Sequence, residues 1–95
     1  MEWKLFYSET AREQIRFLHP DLKTLIKSKI EELKENPFMG KFLERELSGC
    51  LSLRVKRFRI IYRIREEQRI IEIHYIGHRK DVYEIFRDKT VHQMD

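Results

Sequence analysis

Hydrophobic spacing changes near Cys50 from a helical period to a period of two, which points to a helical stretch followed by a strand-rich second half. Leu22, Leu25, Ile26, Ile30 and Leu33 recur at helical spacing. From Cys50 the period is two. Leu51, Leu53 and Val55 fall on one side of a strand, and Ser52, Arg54 and Lys56 on the other. In the next strand Ile60, Tyr62 and Ile64 oppose Arg59, Ile61 and Arg63. Ahead of the helices, the aromatic run Trp3 to Tyr7 predicts a first strand.

Ser8 or Thr10 can cap a helix reaching Leu18, with Ala11, Ile15 and Leu18 on its apolar stripe. His19-Pro20-Asp21 ends it and starts another, with Pro20 in the first turn and Asp21 accepting orphan amide bonds. Asn36-Pro37 stops that second helix. So short a link predicts an antiparallel helical hairpin. Pro37 to Gly49 reads as a loop pinned to the core by Phe38, Phe42, Leu43 and Leu47. Glu66-Glu67-Gln68 is a polar turn, Arg69 to Ile76 the last strand, and Asp81 the cap of a short helix from Val82 to Arg87.

The predicted class is α+β. An antiparallel sheet with an N-terminal strand and a three-strand meander is covered on one face by the helical hairpin, and a short C-terminal helix closes the chain. Ninety-five residues make one domain, 1–95, with a polar tail after about residue 87. The single cysteine, Cys50, excludes an internal disulfide and reads as a small buried hydrophobe. No secretory pattern opens the sequence and no apolar run approaches a membrane span, so the expected setting is the reducing cytoplasm. Four scattered histidines, His19, His74, His78 and His92, have no metal-ligand spacing, and no cofactor is expected.

Charge is distributed unevenly. The net charge is only +4, but residues 50–65 carry six cations (Arg54, Lys56, Arg57, Arg59, Arg63 and Arg65) and no acid. Acids gather instead in the helical half, at Glu31, Glu32 and Glu35 and in the loop at Glu44 and Glu46. That partition predicts a localised anion-binding face. A solvated sheet face carries cations too, and Arg63 and Arg65 are close enough to Glu66 and Glu67 for simple surface pairing. The segment IGHRKDVYEIF then brings His78, Arg79 and Tyr83 to the end of the sheet. Tyr62 and Tyr75 alternate with isoleucines and read as core, while Trp3 and Phe6 read as core or loop anchors.

Four segments together, NPFMGKFLERELSGCLSLRV, FRIIYRI, RIIEIHYIG and GHRKDVYEIF, resemble the RelE/ParE superfamily of toxins from type II toxin–antitoxin pairs. The resemblance covers nearly the whole chain. It implies one of two activities. RelE-like members cut mRNA in the ribosomal A site, and ParE-like members inhibit DNA gyrase. The HRKDVY ending is similar to the RelE-like side. The resemblance implies strand cations at Arg54 and Lys56, a central-strand arginine at Arg59, and a terminal pair at Arg79 and Tyr83. Ser52 stands where the best-known RelE-like toxin has a lysine, so the proton acceptor assigned there is missing. Partners implied are a cognate antitoxin, the ribosome and mRNA, with operator DNA reached only through the antitoxin and no membrane.

The chemistry expected of such a site is metal-independent endoribonuclease cleavage, in which the ribose 2′-hydroxyl attacks its adjacent phosphate. Arg59 and Arg79 suit stabilisation of the phosphorane, because a guanidinium fork matches two phosphate oxygens and stays charged. Arg54, Lys56 and Arg57 suit the RNA backbone. His78, Lys56 and Tyr83 are the candidates for proton transfer, and Tyr83 can also stack on a base. A gyrase inhibitor without catalysis, or a degenerate module that only binds its antitoxin, remains open on the same fold.

Overall fold

The computed structural model describes residues 2–78, the side chain of Glu46 apart. The elements run β1 (Lys4–Tyr7), α1 (Glu9–Arg16), α2 (Pro20–Glu35), β2 (Lys41–Phe42), β3 (Leu51–Val55), β4 (Phe58–Arg65) and β5 (Ile70–His78). The expected terminal helix, Val82 to Arg87, lies outside the described residues. The five strands form one sheet in the order β1-β5-β4-β3-β2.

The α+β class and the β3–β4–β5 meander are as the period switch predicts. The all-antiparallel expectation is corrected, because β1 pairs parallel with β5 and the sheet is mixed. No hairpin turn joins β1 to its neighbour, so nothing local dictates its direction. A second difference lies in the loop, where Lys41 and Phe42 pair with Ser52 and Leu51 as a two-residue edge strand.

Sequence explains the helix boundaries. The Ser8 hydroxyl accepts from the Ala11 amide at 3.0 Å, which makes Ser8 the cap and leaves Thr10 inside α1. For α2 the cap is His19, whose Nδ1 accepts from the Asp21 amide at 3.2 Å, so Asp21 serves in the first turn instead. An eight-residue helix such as α1 is marginal alone. Its place is fixed by burying Ala11 and Ile15 alongside Ile26, Ile30 and Leu33 of α2. These pack on Leu51, Leu53, Val55, Ile60, Tyr62, Ile71, Ile73 and Ile76, the helix-covered face of the sheet.

One irregularity sets the rest of the sheet. Ile61 pairs with Tyr75 but Tyr62 pairs with Ile73, which leaves His74 as an extra residue in β5. The bulge reverses facing, so Ile71, Ile73 and Ile76 share the helix-covered side while Tyr75 and Gly77 turn to the open side. The start of α1 secures it. The Ser8 amide donates to Ile73 O at 2.9 Å, the Ser8 hydroxyl donates to His74 O at 2.9 Å, and the Ile76 amide donates to Gln14 Oε1 at 2.7 Å. Past the end of β1, side chains of a helix thus replace the missing strand partner.

The loop before β3 is held differently from expectation. Phe38 and Phe42 are 47% and 58% exposed, with ring centroids 6.3 Å apart, and do not anchor it. Leu47 is buried and Leu43 packs on the Cys50 cluster, both as expected, and Pro37 is buried with them. The fully buried Tyr62 donates its hydroxyl to Pro37 O at 2.8 Å and accepts from the Gly40 amide at 3.0 Å. Gly40 has no alternative there, because a Cβ would come within 2.5 Å of the Tyr62 hydroxyl and 3.0 Å of Ser52 O. Tyr62→Phe should keep the ring and strand both groups, lowering stability by about 1–3 kcal/mol in urea denaturation.

Candidate functional site

On the open face, cross-strand register arranges the side chains in rows. Arg54 lies directly opposite Arg59, and Arg59 opposite Gly77. The next row reads Lys41, Ser52, Ile61 and Tyr75. Beyond it, Arg63 faces Glu72. A small apolar strip of Cys50, Ile61 and Tyr75, with Leu43 against it, separates the two charged ends. Cys50 is buried, as expected, and Arg63 Nη2 lies 3.8 Å from its Sγ.

The two ends differ in how charge is met. Arg65, expected to pair with the turn acids, instead pairs with Glu72 at 3.3 Å, and His74 Nε2 lies 3.1 Å from the same carboxylate oxygen. Burial alone would raise the Glu72 pKa, but hydrogen bonds from His74 and Arg65 and their charges outweigh it, and the net shift is downward from 4.5. At the other end, Arg54, Arg59, Lys56 and Arg57 have no carboxylate within 4.0 Å among the described residues. Like charges placed directly opposite on a sheet repel, with Cβ atoms about 4.5–5.5 Å apart. An anion between Arg54 and Arg59 relieves that repulsion and matches two guanidinium forks.

Lys56 corrects another expectation. It does not continue β3 but begins the two-residue turn to β4, with φ +55°. Arg54 Nε donates to its carbonyl at 3.3 Å, bracing the turn from the open side. Arg57 completes the turn and is exposed. The tip of this hairpin is therefore two cations wide and leads to the Arg54–Arg59 pair.

His78 does not join Arg59. Its partner in register is Phe58, which packs on the helix-side core, and the two rings are 4.4 Å apart. The bulge in β5 puts His78 and Arg59 on opposite faces, which removes the geometric basis for pairing them as base and phosphate ligand. Arg79 and Tyr83 lie outside the described residues. Tyr75 is core, as expected, but the bulge sets which face of the sheet it occupies. It is buried, but on the open face, and its ring lies over Gly77, where a Cβ would sit 2.6 Å from Cε1. Its phenol is thereby carried toward the Arg54–Arg59 row. Only knowledge of the bulge could have placed it. Among the described residues no group of three His, Cys, Asp or Glu side chains could hold a metal ion, and no helix is long and apolar enough to cross a membrane.

Two outcomes test this electrostatic division. Glu72 contributes stability that is fully present above pH 4.5 and is lost as pH falls through its depressed folded value. Glu72→Gln should therefore flatten the acid limb of a pH–stability profile below that point while leaving neutral-pH folding intact. Lys56→Gly should relieve left-handed backbone cost and raise stability by about 0.5–1 kcal/mol. The same variant should weaken polyanion binding in a filter or anisotropy titration.

Comparison with known proteins agrees with this architecture. Residues 2–83 match the family model described as ParE toxin of type II toxin-antitoxin system, parDE. Toxin RelG of Mycobacterium tuberculosis is 33% identical over 85 residues, spanning 87% of this chain and 98% of RelG. The toxin–antitoxin complex RelBE2 of the same organism contains a chain that superposes with a TM-score of 0.74 at 30% identity, covering 83% of this chain and 100% of that one. A mutant of E. coli toxin RelE in the free state gives a TM-score of 0.75 at 20% identity over 94% of this chain and 98% of its own, a likeness of fold alone. With a family model spanning most of its length and a relative matched nearly end to end, the chain belongs to the RelE/ParE superfamily of type II toxin–antitoxin toxins.

Proposed function

We propose that this toxin is a ribosome-dependent, metal-independent mRNA endoribonuclease neutralised by a cognate antitoxin. The observation that carries the reading is the Arg54–Arg59 pair, directly opposed on the open face with no carboxylate partner among the described residues. In the reaction, the 2′-oxygen attacks the adjacent phosphorus and the P–O5′ bond breaks. A 2′,3′-cyclic phosphate and a 5′-hydroxyl result. One proton leaves the 2′-hydroxyl and one is delivered to the departing 5′ oxygen. Arg59, with Arg79, meets the charge that builds on the phosphorane, while Arg54, Lys56 and Arg57 hold the flanking backbone. Tyr83 stacks on a base or donates a proton. With His78 facing the other side, proton transfer falls to Tyr83, to Lys56 or to groups of the ribosome, which also supplies the orientation a shallow sheet face lacks.

The described cluster supplies charge more than proton transfer, and this suits a site completed by the ribosome. The antitoxin expectation draws on solved complexes of related toxins, among them RelBE2. A second reading, inhibition of DNA gyrase without catalysis, is favoured by the ParE description of the matching family model.

Primer extension on an mRNA in a purified translation reaction, with and without ribosomes, separates the two. Ribosome-dependent cuts at A-site codons that fall about 100-fold in Arg59→Ala, and likewise in Arg79→Ala, are the expected result. An intact message in the presence of wild-type toxin, with loss of supercoiling in a gyrase assay, would overturn it.

A further inference from the structure

Lys41 was not among the residues singled out in the sequence, yet the sheet places it on the same face as the arginines. It sits in β2, directly opposite Ser52 in β3, one row from Arg54. Same-face rows lie about 6.8 Å apart along a strand and neighbouring strands about 4.8 Å apart, which puts the Lys41 backbone about 8 Å from that of Arg54. It is exposed and has no acidic partner among the described residues.

Two further observations distinguish it from an ordinary surface lysine. First, its backbone is fixed on both sides. The Gly40 amide is held by the Tyr62 hydroxyl at 3.0 Å, and the Leu43 amide donates to Cys50 O at 2.9 Å. A two-residue edge strand would otherwise fray. Second, the cross-strand neighbour is short. Ser52 is 3% exposed and its Oγ has no hydrogen-bond partner. A long side chain there would force Lys41 outward. A serine leaves room for the aliphatic stem to lean inward over the sheet.

We infer that Lys41, seated over Ser52, forms a second phosphate site for single-stranded RNA, next along the strand from the one held by Arg54 and Arg59. The inference rests on the reading of the open face as an RNA surface. The backbone would run from the Lys56–Arg57 tip, across the arginine pair, to the β2 edge. An ammonium suits this outer position, where a point charge holds a phosphate without demanding one orientation.

The test is binding of a short fluorescent single-stranded RNA to the full chain across a salt series. Lys41→Met should weaken binding about tenfold at low salt and flatten the slope of log K against log salt by about 0.7. Lys41→Arg should keep both near wild type. Lys27→Met, which removes the same charge from the exposed side of α2, should change neither. Equal behaviour of Lys41→Met and Lys27→Met would overturn the proposal. Primer extension run alongside keeps the two claims separate. A wild type that binds RNA through Lys41 but leaves ribosomal mRNA intact defeats the nuclease reading and retains the phosphate site.

Discussion

What β5 contributes to the open face depends on the extra residue at His74. Because side chains alternate along a strand, a single inserted residue exchanges the faces of everything beyond it. Before the bulge, β5 sends Ile71 and Ile73 to the helices. After it, Ile76 takes that side, and Tyr75 and Gly77 go to the other. The bulge persists because Ser8 and Gln14 satisfy the backbone groups it exposes beyond the end of β1. Ser8 does two jobs with one hydroxyl, accepting from α1 and donating to β5. The start of the first helix therefore decides which side chains accompany Arg59.

The open face is divided along its length. Near the β4–β5 turn, Glu72 gathers Arg65 and His74 into a self-contained cluster. Near the β3–β4 turn, cations stand opposite one another and none is neutralised by a described carboxylate. The apolar strip of Cys50, Ile61 and Tyr75 keeps the ends apart. Surface pairing explains the first end well and the second not at all. Net charge hides this, since the acids that balance the total sit mainly on the helices and in the loop before β3.

Much of this was legible in the sequence, for identifiable reasons. Long periodic runs marked α2, β3 and β4, and a serine before an amphipathic stretch marked the start of α1. The basic strand was readable because alternation alone puts Arg54 and Arg59 opposite Leu53 and Ile60. What could not be read was non-local. A four-residue strand does not announce that it will lie parallel to β5, and two residues of β2 carry no periodicity. Phe38 and Phe42 looked like anchors by type, yet the loop is held by a tyrosine hydroxyl from β4. The bulge misled the placement of His78 and hid which face Tyr75 would take. Lys41 went unnoticed because its relation to the arginines exists only through pairing with Ser52.

The hairpin tip carries one last consequence. Lys56 occupies a backbone region that glycine enters freely, and the arginines behind it repel one another in the empty protein. Folding on its own would favour many replacements at these positions. Random drift should thus erode the cationic hairpin readily, leaving well-folded but disarmed descendants. Its survival in a lineage reports selection for use rather than for architecture.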